Sequence, residues 1–238
     1  ESLYQEILDT RRARLGQEHP DTMTSMNNLA AIFRKQGRYD EAETLFLESL
    51  QNRERTLGSD HPDTLQSLVN LAQVYSRQGR LEETEALLER AIETRERTLG
   101  PDHHLTILAV NNLGNLRVTQ GRYQDAESSF VRAMKASERI YGLHHIETMT
   151  NANNLARVYA LTGREDEART TYRRALKHLK TELGTEHPTV LTVSSNLASL
   201  LKKQGDYDEA EPIFSHILAT RERERGPDNP HTLDSLYN

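Results

Sequence analysis

The 238 residues carry 36 acidic against 30 basic side chains, a net charge of −6, and no cysteine. Disulfides, zinc ribbons and thiol catalysis are thereby excluded, and the interspersed basic residues leave no concentrated positive surface for a nucleic acid. A hydrophobic fraction of 35%, a charged fraction of 28% and a mean hydropathy of −0.76 argue for much solvated surface rather than one deep core.

The elements follow a fixed period. Residues 1–18 fit the latter part of a helix, with Glu1 aligned to Glu43 and Tyr4 to Phe46. From His19 a unit of 42 residues begins, and it returns without insertion: Gly16, Gly58, Gly100, Gly142, Gly184 and Gly226 form one column, and His19, His61, His103, His145 and His187 another. A second glycine series, Gly37, Gly79, Gly121, Gly163 and Gly205, lies midway. Such a period marks a stacked-repeat architecture.

In the first unit a helix A is expected from about Pro20 to Gln36. Met23, Met26, Leu29, Ala30 and Phe33 recur at helical spacing and trace one face. Pro20 suits a first helical position, Asp21 sits at the positive end of the helix dipole, and Gly37 stops the helix. Helix B then runs from about Tyr39 to Leu57, with a stripe of Ala42, Leu45, Phe46, Leu50 and Leu57, until Gly58. Neither stripe is buried by its own helix, so neighbouring units supply the missing surface. The complete units are 19–60, 61–102, 103–144, 145–186 and 187–228, preceded by a partial helix B over 1–18 and followed by a partial helix A over 229–238. The expected fold is all-α, five complete helix pairs with partial flanking repeats in one domain over 1–238, cut from a longer array.

The run Leu29-Ala30, Phe33, Gly37, Tyr39, Ala42, Phe46, repeated as Leu197-Ala198, Gly205, Tyr207, Ala210, Phe214, resembles the tetratricopeptide repeat signature. The longer helix B and the connection Thr56-Leu57-Gly58-Ser59-Asp60-His61-Pro62-Asp63-Thr64 are similar to the repeats of kinesin light chains and to the repeat arms of NB-ARC signalling NTPases. The resemblance implies an α-α superhelix, a solenoid with A helices on the concave side. There are departures. His104 and Ile146 replace the proline, Arg117 stands at the Phe33 position, Glu165 at the Tyr39 position, Thr84 at the Ala42 position, and Val190 replaces the threonine. Arg117, a charge at a half-buried position, needs a partner.

On this reading the concave face of the first unit holds Thr24, Asn27, Asn28, Ala31, Arg34 and Lys35. Two features carry a binding hypothesis. Asn28, Asn70, Asn112, Asn154 and Asn196 form a ladder of amides that both donate and accept; they either grip a peptide backbone or bridge adjacent A helices. Arg34, Lys35, Arg77, Arg157, Lys202 and Lys203 make the A face mildly basic while helix B starts are acidic, which either steers an acidic or C-terminal carboxylate peptide or merely solvates the two faces. The histidine column reads as helix caps, not a metal site, because its members lie one repeat apart. Arg11, Arg53, Arg95 and Arg221 continue the helix B stripe, their heads expected to find acids in the next connection.

No phosphate-binding loop, His-Glu-x-x-His or Gly-x-Ser-x-Gly motif is present, so neither catalysis nor a cofactor or metal is expected. No apolar run approaches the roughly 18 residues of a membrane helix, and the first residues are not a signal peptide, so the chain reads as soluble and cytoplasmic. The function expected is a non-catalytic scaffold that binds a protein or peptide segment in its concave groove, as cargo adaptors do. The alternatives are a ligand-sensing or oligomerisation arm of a signalling NTPase, and a structural spacer.

Overall fold

Cap residues at fixed places in the 42-residue unit set where each helix starts and stops. The computed structural model describes residues 1–226 and residue 229; the partial helix expected over 229–238 otherwise lies outside the described residues. The helices fall into two units. The first holds α1 (Ser2–Leu15), α2 (Pro20–Lys35), α3 (Tyr39–Leu57), α4 (Pro62–Arg77), α5 (Leu81–Leu99) and α6 (His104–Thr119). The second holds α7 (Tyr123–Tyr141), α8 (Ile146–Leu161), α9 (Glu165–Leu183), α10 (Pro188–Gln204) and α11 (Tyr207–Arg225). Among the described residues there is no strand, and no helix is long and apolar enough to cross a membrane.

Each A helix starts on a histidine. The Nδ1 atom of His19 accepts the backbone N–H of Asp21 at 3.2 Å, and His61, His103, His145 and His187 repeat the bond at 3.2 to 3.3 Å. This satisfies one of the orphan amides of a helix N-terminus. His104 and Ile146 therefore replace proline without displacing the helix start. The threonine three residues beyond the cap closes the connection: Thr64, Thr106 and Thr148 donate to the carbonyls of Gly58, Gly100 and Gly142 at 2.8 to 3.0 Å. Gly58 itself has φ 88° and ψ 164°, a conformation in which a Cβ is strained.

In the first unit consecutive helices pack as neighbours, and α2 also touches α4. The predicted stripe of α2, Met23, Met26, Leu29, Ala30 and Phe33, is buried, as are Ala42, Leu45, Phe46 and Leu50 of α3; Leu57 is only half-buried. One continuous core joins Leu8 of α1 to Met26, Leu29, Phe46, Leu68 and Leu71. The second unit has its own core around Met149, Tyr172, Leu176, Leu179, Val190 and Leu197. Burial of each large side chain contributes about 1.5–3 kcal/mol.

In the first unit the arginine column joins each B helix to the following A helix, but not through acids. Arg53 donates to the backbone carbonyl of Asp63 and to the Ser67 hydroxyl, both at 2.8 Å. Arg11 does the same toward Asp21 and Ser25 at 3.0 and 2.8 Å, and Arg95, 1% exposed, binds the Leu105 carbonyl at 2.8 Å. The carboxylates of Asp21 and Asp63 point to solvent, so the heads find carbonyls instead. Burial pulls the pKa of Arg53 and Arg95 down, yet a guanidinium starts so high that it stays charged.

In the second unit the column changes together with its partner fourteen residues on. Ser137 receives the Asn151 amide at 2.7 Å, and Leu179 and Val193 lie together in the apolar core. These two joints of the second unit are polar on both sides or apolar on both, whereas Arg95 has the apolar Ala109 fourteen residues on and binds the Leu105 carbonyl instead.

We predict that Arg53→Leu alone destabilises the fold by roughly 1–3 kcal/mol, because Ser67 is left without its donor. Adding Ser67→Val, which copies the Leu179–Val193 joint, should recover at least half of that loss in urea unfolding. A single variant as stable as the parent would contradict this account.

His103 supplies a pH test. Burial, then neighbouring His104 and Arg95, lower its pKa, so folding favours the neutral ring that caps α6. That contribution is complete above the ordinary imidazole value of about 6.5 and is lost as pH falls through the lower folded value. His103→Asn, a cap that does not titrate, should show a smaller fall in Tm between pH 7.5 and 5 than the parent chain; parallel curves would argue against the cap.

Candidate functional site

Charge on the two faces of the repeat is used differently. At the A-to-B turn an arginine reaches back to the carboxylate 37 residues earlier: Arg38 to Glu1 at 2.6 Å, Arg80 to Glu43 at 2.7 Å and Arg164 to Glu127 at 2.8 Å. The same guanidinium lies over an aromatic ring of its own repeat, Phe33, Tyr75 or Tyr159, at 3.7 to 4.1 Å, a cation–π contact, and grips an acid in the first turn of helix B, Glu41, Glu83 or Glu167. In the last repeat both members of the pair change sign, and Arg169 reaches Asp206 at 3.0 Å.

Several B-helix cations are used in the same way. Arg12 pairs with Glu48, Arg90 with Glu54 and Arg173 with Glu209 at 2.5 to 2.7 Å. Arg55, Arg97 and Arg223 take acids of the preceding connection, Glu18, Asp60 and Glu186. Arg117, which needed a partner, lies near Glu85 at 3.4 Å and Glu89 at 3.5 Å.

Four A-helix cations differ. Arg34, Lys35, Arg77 and Arg157 form no ion pair among the described residues, and Lys35, Arg77 and Arg157 are exposed. In the first unit this face forms a hollow of about 250 Å³. Arg34 of α2, Gln73, Ser76 and Arg77 of α4, and Asn112, Asn115 and Thr119 of α6 line it, with Thr84 and Leu88 of α5 and the apolar Ala72 and Leu116 behind them. No carboxylate lines the hollow. Its small floor residue, Ala72, is 1% exposed, and α2 and α4 pack closely enough to touch.

The candidate residues meet different fates. Arg77 and Asn112 share the hollow. Asn28 is exposed and, like Asn112, makes no hydrogen bond among the described residues. Asn70 accepts from Gln66 of its own helix at 3.0 Å. In the second unit Asn196 donates to Asn153 of α8 at 3.0 Å, and Asn154 accepts from Asn153 at 3.4 Å. Bridging between A helices therefore occurs there, through Asn153. Lys203 is bound by Glu165 at 2.8 Å, and Lys203 with Gln204 holds that carboxyl low.

Asn27, read as a face residue, is buried at 8% exposure. Its amide donates to the Met23 carbonyl at 2.8 Å and to the Ser49 hydroxyl. Arg34 was expected on this face, whereas Gln73, Ser76, Asn115 and Thr119 were not among the sequence candidates. The signal was the helical spacing of Asn112, Asn115 and Thr119, which places all three on one face. Among the described residues no group of three or more His, Asp or Glu side chains is placed to hold a metal ion.

Comparison with known proteins places these helices. The tetratricopeptide repeat family profile matches residues 1–46, 21–96, 68–135, 106–181 and 189–238. The structure is similar to the nearly identical repeats of a protein described as a kinesin light chain in Podosopora anserina, at 24% identity and TM-score 0.72 over 86% of this chain and 97% of that one. It is similar to BtubC of P. vanneervenii at 22% identity and TM-score 0.76, over 94% and 91%. It is also similar to the quorum sensor NprR of B. thuringiensis at 14% identity and TM-score 0.76, over 99% and 64%. A search of curated proteins gives no match.

Two adjacent amides separate structural from available groups. Asn27→Ala is expected to cost roughly 1–3 kcal/mol, since the buried Ser49 hydroxyl loses a partner, whereas Asn28→Ala should stay within about 0.5 kcal/mol. Thermal unfolding of the two variants checks this; equal losses would mean that Asn28 also has a structural role.

Proposed function

The chain belongs to the tetratricopeptide repeat family, and from that premise we propose that it is a non-catalytic scaffold that binds an acidic protein or peptide segment along its A-helix face. The observation that carries this is the unequal use of charge. The turn arginines and several B-helix arginines are spent on neighbouring carboxylates, while Arg34 and Arg77 face a hollow that no acid enters. A cation without an internal partner, set among amides and hydroxyls, favours an anionic ligand and orients it. Asn112 and Asn115 add groups that both donate and accept, suited to a peptide backbone. The amide of Asn28 makes the same contribution, with Asn70 and Lys35 as further positions in the first unit; Asn154, Asn196, Arg157 and Lys203 are the corresponding candidates within the second unit. The hollow is smaller than the roughly 300 Å³ at which pockets for whole drug-sized ligands begin, so it suits one side chain of a longer segment.

The test is a display-library selection on the chain and on an Arg77→Gln/Asn112→Ala variant. Acidic peptides should be enriched on the native chain, lost from a variant of unchanged helicity, and weakened by raising salt from 0.05 to about 0.3 M. If no peptide is enriched on the folded chain, the binding reading is wrong, and a spacer or assembly arm takes its place.

A further inference from the structure

The charge and donor count of the hollow in the first unit go beyond what a single carboxylate uses. Two guanidinium groups line it, Arg34 and Arg77, and neither forms an ion pair among the described residues. Around them stand the amides of Gln73, Asn112 and Asn115 and the hydroxyls of Ser76 and Thr119. A carboxylate carries one negative charge and two oxygens, and Glu and Asp reach it on short stems. A phosphomonoester carries up to two negative charges and three terminal acceptor oxygens at neutral pH. Planar guanidinium forks match phosphate oxygens in pairs, and clusters of arginine are a recurring way of reading phosphorylated peptides.

The feature is local to the first unit. The positions of Arg34 and Ser76 are occupied by Ala160 in the fourth repeat, and those of Lys35 and Arg77 by Leu161, which is 47% exposed. In the fifth repeat Lys203 is taken by Glu165. The sites on the A face are therefore not equivalent, and one place combines unpaired cations with a recess of about 250 Å³.

We propose that this hollow binds a phosphorylated serine or threonine side chain within the peptide segment, an inference that rests on the peptide-binding reading above. The phosphate enters between Arg34 and Arg77, the amides and hydroxyls take its remaining oxygens, and the peptide backbone continues along α4 and α6.

The experiment uses three fluorescent degenerate peptide pools, identical except for a central phosphoserine, glutamate or serine, titrated with the full chain and followed by anisotropy. The phosphoserine pool should bind about tenfold tighter than the other two, and Arg34→Gln/Arg77→Gln should abolish that advantage while the circular dichroism spectrum stays unchanged. A second readout needs no variant. The second ionisation of a phosphomonoester lies near pH 6 and no histidine lines the hollow, so the advantage of phosphoserine over glutamate should grow from pH 5 to 7.5. Equal binding of the phosphoserine and glutamate pools, or an advantage independent of pH, overturns the phosphate assignment and leaves an acidic-peptide groove standing. A phosphoserine preference that survives the double variant overturns this hollow as the site. Binding by none of the pools overturns both this inference and the peptide-binding reading.

Discussion

Each unit depends on the joint between a B helix and the A helix that follows it. A 42-residue repeat has no closed core of its own; the stripe of every helix is finished by a neighbour. Hydrophobic contact supplies the attraction but little directional information, since a stripe of leucine and alanine tolerates sliding. The polar group buried at the joint supplies the register. Arg53 reaches one carbonyl and one hydroxyl of α4, and a shift of the helix along its axis would leave all three groups unsatisfied in a dry place. Where the chain uses Leu179 and Val193 instead, that device is absent, and the turn-to-helix pair Arg169–Asp206 remains to hold register nearby.

The sign change at Arg169 and Asp206 bears on how such arrays diversify. Glu1–Arg38, Glu43–Arg80 and Glu127–Arg164 share one polarity. In the last repeat the polarity is inverted on both sides, so the pair is kept while its charges are exchanged. A repeat carrying Asp206 stacked on one carrying glutamate at the position of Arg169 would place two acids together, and like charges repel. Each pair is partly exposed and individually weak. Its consequence is the order of repeats more than the depth of the energy minimum: nearly interchangeable units are kept from stacking out of sequence.

The parts of this arrangement that were legible in the sequence are those set by local rules. Helix limits, the glycine stops, the histidine caps and the apolar stripes all follow from residues within a few positions of one another. What was not legible depended on partners elsewhere in the chain. Asn27 and Asn28 are chemically identical, and the inward one, four residues after buried Met23, is satisfied by the hydroxyl of Ser49 on the next helix. Arg53 was expected to meet an acid, but Asp63 presents its carbonyl while its carboxylate faces water. Lys203 read as a free cation because Glu165, 38 positions earlier, looked like mere loss of a tyrosine; the two meet at 2.8 Å. The hollow itself arises from three A helices and α5 together, so no single repeat announces it.

These internal uses of charge explain why a protein of net charge −6 has free cations on one face. Stacking repeats by ion pairs places acid and base on B helices, turns and connections, where successive units approach. An acid on the A face would compete for the same arginines and loosen the stack; in the second unit it is a B-helix acid, Glu165, that takes the A-helix cation Lys203. Residues of the A helices that point away from the stripe are released from this requirement. Their composition is set by solubility and by what the face binds. In the first unit that composition is arginine, amide and hydroxyl around a recess, a set that does nothing for the packing beneath it. Arginines without internal partners, in a chain that pairs most of its others, are cationic groups left for a partner outside the fold.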